Sequence, residues 1–135
     1  MEILQLIAAG KRKSAIAKAK IKAGTGRVTI NKIPYNNLSP FQRLMISEPI
    51  VMAKENLGNF DFDIAVDVTG GGTESRIEAS RLAIAKALVK FTKSLELKKA
   101  FVSYDRNMLV ADTRRKEPCK PGDSKARSKR QKSYR

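Results

Sequence analysis

The sequence predicts a two-layer α/β (α+β) domain over residues 1–111 with a long, basic, extended tail over residues 112–135, on three observations. Apolar and polar residues alternate with period two around Lys18–Ala23 and again from Phe60 to Thr69. A single long helical stripe follows a triple glycine. After Val110 and Ala111 no Leu, Ile, Val, Phe or Met occurs, so the last segment cannot bury enough apolar area to offset its ordering entropy.

The elements follow in order. Ile3 to Ile7 reads as a buried strand that stops before Gly10, and Ser14 to Ala23 reads as a second strand. Its alternation sets Lys18, Lys20 and Lys22 on one face and Ala19, Ile21 and Ala23 on the other. Gly24-Thr25-Gly26 suits a tight turn, which predicts a hairpin onto Val28 and Ile30, with Arg27, Thr29 and Asn31 on the polar side. Pro34 and Asn36-Asn37 interrupt the pattern. Ser39 with Pro40 predicts the start of a short helix to about Ile46, and Ser47 with Pro49 a second one ending near Leu57, with Gly58 as its stop. Phe60 to Thr69 is the clearest strand. Gly70-Gly71-Gly72 leads into the clearest helix, about Glu74 to Ser94, with a capping-box pattern in Ser75 and Glu78. Ile77, Ile84, Leu88, Phe91 and Leu95 share its apolar stripe, and Lys86, Lys90 and Lys93 face away. Leu95 to about Val102 predicts one more short helix.

Composition narrows the chemistry. With 41% hydrophobic residues, 6% aromatic and no Trp, there is material for a modest core. The lone Cys119 and the absence of histidine exclude an intrachain disulfide, a His-based relay and the usual zinc, haem and iron–sulfur ligand sets, so neither metal nor cofactor is expected. Ile3 to Ala9, broken by Gln5, falls short of the roughly 20 residues that span a bilayer. No basic segment precedes it, so a signal peptide is not expected either. These features point to a reduced, soluble, intracellular protein.

Twenty-eight Lys and Arg against 13 Asp and Glu give a net charge of +15, and its placement carries the functional signal. Lys11, Arg12, Lys13, Lys18, Lys20, Lys22, Arg27 and Lys32 form a block with no acid among them, while residues 33–111 are nearly balanced. The tail holds the rest of the excess. Cations on a strand anchored in a core make a rigid basic surface suited to a polyanionic partner, and solvated charge is the plainer alternative. In the tail, Pro118, Pro121 and Gly122 keep the chain extended, at most roughly 80 Å long, so that it can thread between nucleic-acid helices. Its arginines can fork onto phosphates and Tyr134 can stack on a base.

Other candidates are weaker. The triple glycine resembles a phosphate cradle but lacks the Walker lysine and the G-x-G-x-x-G spacing. A small phosphate-handling enzyme would rest on fold analogy alone. Asp61, Asp63 and Asp67 could share one strand face around a magnesium ion, yet such a row is more often simply solvated. Cys119 has no candidate base beside it. An architectural DNA-binding protein is the alternative that the basic arm leaves open.

The segments GKRKSAIAKAKIKAGTGRVTIN, VTGGGTESRIEASRLAIAKAL and YDRNMLVADTRRKEPCKPGDSKARSKRQKSYR strongly resemble the universal ninth protein of the small ribosomal subunit, called S nine in bacteria and S sixteen in eukaryotes. The likeness runs along nearly the whole chain, and the terminal Gln-Lys-Ser-Tyr-Arg resembles the archaeal and eukaryotic branch. It implies a non-enzymatic cytoplasmic constituent of the subunit head, with the fold of the second domain of ribosomal protein S five. The implied partners are small-subunit ribosomal RNA, neighbouring ribosomal proteins and peptidyl-site (P-site) transfer RNA. Lys11, Arg12 and Lys13 match the family's N-terminal basic motif, and Arg81 and Lys86 match basic helix positions. With Lys18, Lys20, Lys22, Arg27, Arg114, Arg115, Lys116, Lys120, Lys125 and Arg127 they are the expected ribosomal-RNA contacts. Lys129, Arg130, Lys132, Tyr134 and Arg135 are expected to approach transfer RNA, Arg135 at the tip. Two places depart from the family pattern: Ser75-Arg76 stands where Gly-Gln is usual, and Cys119 where a base is common.

Overall fold

A computed structural model describes residues 5–135. Five strands, β1 (Leu6–Arg12), β2 (Ala15–Ala23), β3 (Val28–Ile30), β4 (Ile33–Pro34) and β5 (Phe62–Thr69), form one sheet in the order β1-β2-β5-β3-β4. Among the described residues the sheet is accompanied by three helices, α1 (Pro40–Leu57), α2 (Thr73–Thr92) and α3 (Leu95–Tyr104). All strand pairs are antiparallel except β3 with β5. Helix α2 lies across β1, β2 and β5, and α1 and α3 pack on it and on each other. Among the described residues no helix covers the opposite face of the sheet, which makes this the two-layer α/β domain expected.

The period-two phases appear as read. Ala15, Ala17, Ala19 and Ile21 of β2 and Ile64, Val66 and Val68 of β5 point into the core, while Lys18, Lys22 and Asp67 are exposed. Ala79, Ala83 and Ala87 on α2 are fully buried, as are Ile84 and Leu88. Small residues on both layers let helix and sheet come close. Burying each of the large side chains, Ile46, Ile64, Ile84, Leu88, Leu97 and Phe101, contributes about 1.5–3 kcal/mol.

Several expectations need correction. The first strand is displaced from Ile3–Ile7 to Leu6–Arg12, and Ile3 and Leu4 lie outside the described residues. It runs through Gly10 because α2 passes directly over that position: a Cβ there would sit 2.4 Å from the Ala79 carbonyl oxygen. Glycine here serves close approach, not termination.

The hairpin from β2 to β3 does not form, because β5 enters between them. Gly24-Thr25-Gly26-Arg27 instead crosses the start of β5 and is fastened to it. The Gly24 amide donates to the Asp61 carbonyl, 2.9 Å, and the Ile64 amide to the Arg27 carbonyl, 2.8 Å. The Asp63 carboxylate accepts from the Thr25 and Arg27 amides, 2.8 and 3.1 Å. Those hydrogen bonds, with the Lys22 charge, hold the Asp63 carboxyl below its ordinary range. A tight two-residue turn does occur at Asn31-Lys32, where both φ values are positive, at 48° and 68°, joining β3 to β4.

The two short helices expected between Ser39 and Gly58 are one. Helix α1 runs through Pro49, whose ring is itself core, with Ile46, Ile50 and Ala53 along one buried stripe. Packing of that stripe outweighs the backbone bond that proline removes. The capping box at the head of α2 is absent: Gly72 is the N-cap without a side-chain bond, and Glu78 bonds to Arg12 instead. Leu95 leaves the α2 stripe and is exposed as the first residue of α3, whose N-cap Ser94 accepts from the Leu97 amide, 3.3 Å. Lys86 does not face away, because its ammonium leans over β1 to 3.4 Å from the Ala9 carbonyl.

Candidate nucleic-acid interface

The block of cations that looks continuous in sequence divides into two places. The turn between β1 and β2 holds Lys11, Arg12, Lys13 and Ser14, with Lys13 at positive φ. Gly70 and Gly71, both at positive φ, let the β5–α2 connection press on this turn: a Cβ on Gly71 would come within 2.8 Å of the Ala15 Cβ. Close packing accounts for these two glycines. Beyond α3 a 3-10 turn (Arg106–Met108) brings the chain back to the same end.

There the tail begins, and Arg114, Arg115 and Lys116 form the second wall of a groove of about 870 Å³ whose first wall is Lys11–Ser14. None of the residues lining it is acidic. Six cations from chain positions about a hundred residues apart thus line one cleft, a concentration of positive charge that attracts phosphates.

Behind the groove lies a layer of ion pairs. Arg12, its side chain only 18% exposed, is held by Glu78 of α2 and by Asp112 at the root of the tail. Asp112 also accepts from the Arg114 amide, 2.9 Å, and from its guanidinium, 2.8 Å. Arg81, 14% exposed, binds Glu48 of α1 and, at 3.2 Å, Asp105 beyond α3, and Tyr104 Oη donates to Glu48 at 3.3 Å. Its Nε has no protein partner among the described residues. Arg12 and Arg81 therefore join elements together, whereas Lys11, Lys13 and Lys116 turn to solvent and Arg114 stays exposed while paired with Asp112.

The other half of the block stands on the open face of the sheet. In the register of β2 and β5, Lys18 is opposite Asp67 and Lys22 opposite Asp63, and Lys20 forms an ion pair with Asp67 at 3.0 Å. The acidic row is the neighbour of the basic one, so its carboxylates partly offset the cations of this face. Arg27 is exposed at its edge and lines, with Lys20 and Lys22, a smaller hollow of about 390 Å³.

After Asp112 the tail forms neither helix nor strand. Lys120, Lys125, Arg127, Lys129, Arg130, Lys132, Tyr134 and Arg135 are all exposed. Arg127 meets Glu117 at 3.0 Å, and the Arg130 Nε donates to the Gly122 carbonyl at 3.2 Å. Cys119 is exposed and unpaired.

Sequence reasoning missed the carboxylates that organise the groove. Glu78 was expected at a cap, and Asp112 counted only as a tail anion. A local signal exists for Asp112: an Asp two residues before a basic residue can take that residue's amide in an Asx turn, as Asp105 also does with Asn107 at 2.9 Å. Nothing local points to Arg12.

Comparison with known proteins completes the description. The profile of a family described as Ribosomal protein S9/S16 matches residues 10–135. A protein named small ribosomal subunit protein uS9 from Methanococcus maripaludis strain C7 is 50% identical over 129 residues, covering 93% of this chain and 95% of the relative. The protein of the same name from Methanococcus vannielii is 48% identical over an equal span.

Proposed function

The chain belongs to the ribosomal protein S9/S16 family, and on that premise we propose that its body grips small-subunit ribosomal RNA through the two-walled groove while its tail reaches on to P-site transfer RNA. It is a structural, non-enzymatic component of the small ribosomal subunit and so works in the cytoplasm, on the ribosome. The observation that carries the finer reading is the meeting of Lys11–Lys13 with Arg114–Lys116 at the point where the tail leaves the body.

Residues 1–111 act as the folded body and 112–135 as a filament that takes its shape from RNA. Lys11, Lys13, Arg114, Arg115 and Lys116 lie against the first phosphates. Arg12 and Arg81 contribute through the architecture they hold. Lys18, Lys20, Lys22, Arg27 and Lys86 add attraction around the body, and Lys120, Lys125 and Arg127 continue the path along ribosomal RNA. Lys129, Arg130, Lys132, Tyr134 and Arg135 complete it at transfer RNA, where phosphate contacts position the ligand without reading its sequence. Neighbouring proteins of the subunit head cover what RNA leaves open.

The test is a filter-binding titration with small-subunit ribosomal RNA across salt concentrations. If about ten cations engage phosphates, the log–log slope falls between roughly −7 and −9. A flat response, or equal competition by duplex DNA, would defeat the reading. For the tail, removing Lys132–Arg135 is expected to speed dissociation of P-site transfer RNA from reconstituted subunits while assembly proceeds, and unchanged kinetics would remove that part.

A further inference from the structure

We infer that Asp112, supported by Glu78, is a positioning residue for RNA capture: it gathers Arg12, Arg114 and Arg115 into a latch that fixes the root of the tail against the β1–β2 turn before RNA arrives. The inference rests on reading the groove as an RNA site and adds to it a residue of the opposite charge. On electrostatics alone, an acid beside a phosphate site should hinder binding.

The geometry argues otherwise. One carboxylate receives Arg12 Nη1, the Arg114 amide and the Arg114 guanidinium. The Asp112 carbonyl receives Arg115 Nη1 at 2.9 Å, and that same nitrogen reaches the Arg114 carbonyl at 2.8 Å. Glu78 takes Arg12 Nε from the other side, so Arg12 bridges α2 and the tail root. Three arginines thus converge on one residue that is only 20% exposed.

Hydrogen bonds from the Arg114 side chain and amide, followed by the charges of Arg114 and Arg12, keep the Asp112 carboxyl far below its usual range and therefore ionised. Without this anchor, Arg114–Lys116 would have to be ordered at the moment of binding, and the groove would have one wall. Arg12 is spent on the latch, which leaves phosphates to the exposed side chains around it.

The experiment uses the full chain and in vitro transcribed small-subunit ribosomal RNA, comparing wild type with Asp112→Asn, Asp112→Glu and Glu78→Gln. Cys119, the only cysteine, lies shortly beyond Lys116 and accepts a nitroxide without further mutation. Asp112→Asn is expected to bind about tenfold more weakly although it raises the net charge, as the cost of ordering one or two side chains implies. Asp112→Glu should recover most of the loss, and Glu78→Gln should weaken binding about threefold. The label should broaden the Lys13 and Ser14 amides in wild type and not in Asp112→Asn.

Equal or tighter binding by Asp112→Asn overturns the latch. Should that variant melt at the assay temperature, equal or tighter binding by Glu78→Gln overturns it instead. Failure of the wild-type chain to bind RNA would strike the reading of the groove, and the amide broadening alone would then decide the latch, its persistence in Asp112→Asn ruling it out.

Discussion

The groove at the root of the tail and the open face of the sheet draw on the same run of cations, and they differ in where the carboxylates stand. On the sheet, Asp63 and Asp67 are lateral neighbours of Lys18, Lys20 and Lys22, in register on the adjacent strand, so the charges offset each other at the surface. At the groove, Glu78 and Asp112 stand behind the cations, bind Arg12, hold the largely exposed Arg114 from beneath, and leave Lys11, Lys13 and Lys116 to solvent. An acid beside a base reduces the field a ligand meets, while an acid beneath a base fixes the geometry a ligand meets. Counting charge along the chain cannot separate these cases.

The contrast can be broken at its shared foundation. Gly10 lies under α2 on the strand that ends in Lys11 and Arg12, and any side chain there collides with the Ala79 carbonyl and the Ala83 amide nitrogen. Gly10→Val is expected to cost on the order of 3 kcal/mol by pushing helix and sheet apart. Chemical denaturation measures it, and a loss near zero would mean that α2 does not sit as described.

A comparison of two double variants sharpens it. Lys11→Ala with Lys13→Ala should reduce affinity for small-subunit ribosomal RNA about tenfold at moderate salt and shrink the salt slope by roughly 1.4–1.8. Lys18→Ala with Lys20→Ala removes two charges from a face where Asp67 pairs with Lys20 and stands opposite Lys18, so the loss should stay within about threefold and the slope should fall by less than for the groove pair. Equal losses from the two pairs would erase the distinction between the regions.

The smallest effect belongs to the crossing loop. Asp63 titrates below its ordinary 3.8 because the Arg27 and Thr25 amides bind its charged form. A lowered folded value stabilises the fold above the unfolded one, and that contribution fades as pH falls below about 3.8 toward the folded pKa. Thermal melts between about pH 5 and pH 2 should therefore show a drop in Tm that is shallower for Asp63→Asn. Parallel curves would mean that Asp63 does not fasten the loop.

Much of the molecule was legible in its residues. The phases of β2 and β5, the start of α1 at Pro40, the stop at Gly58 and the body of α2 follow from periodicity and from proline and glycine chemistry acting over a few residues. The errors share a cause. Gly10 looked like an end because its reason for being glycine is a helix sixty-nine residues later. Pro49 looked like a break because the stripe that carries it is completed by α2 and α3. The β2–β3 hairpin failed because a later strand takes the middle place.

The sequence by itself determined the apolar phases of β2 and β5, the body of α2, and that the last residues lack the means to build a core. It also determined that the excess positive charge lies in a block over residues 11–32 and in the tail, with a nearly balanced stretch between them. Tertiary structure alone decided strand order, the union of α1, and which of the cations are held and which are free. The physical reason is range: side-chain periodicity and turn chemistry act within a few residues. The partners of Arg12 are 66 and 100 residues away and become neighbours only when β1, α2 and the tail root meet.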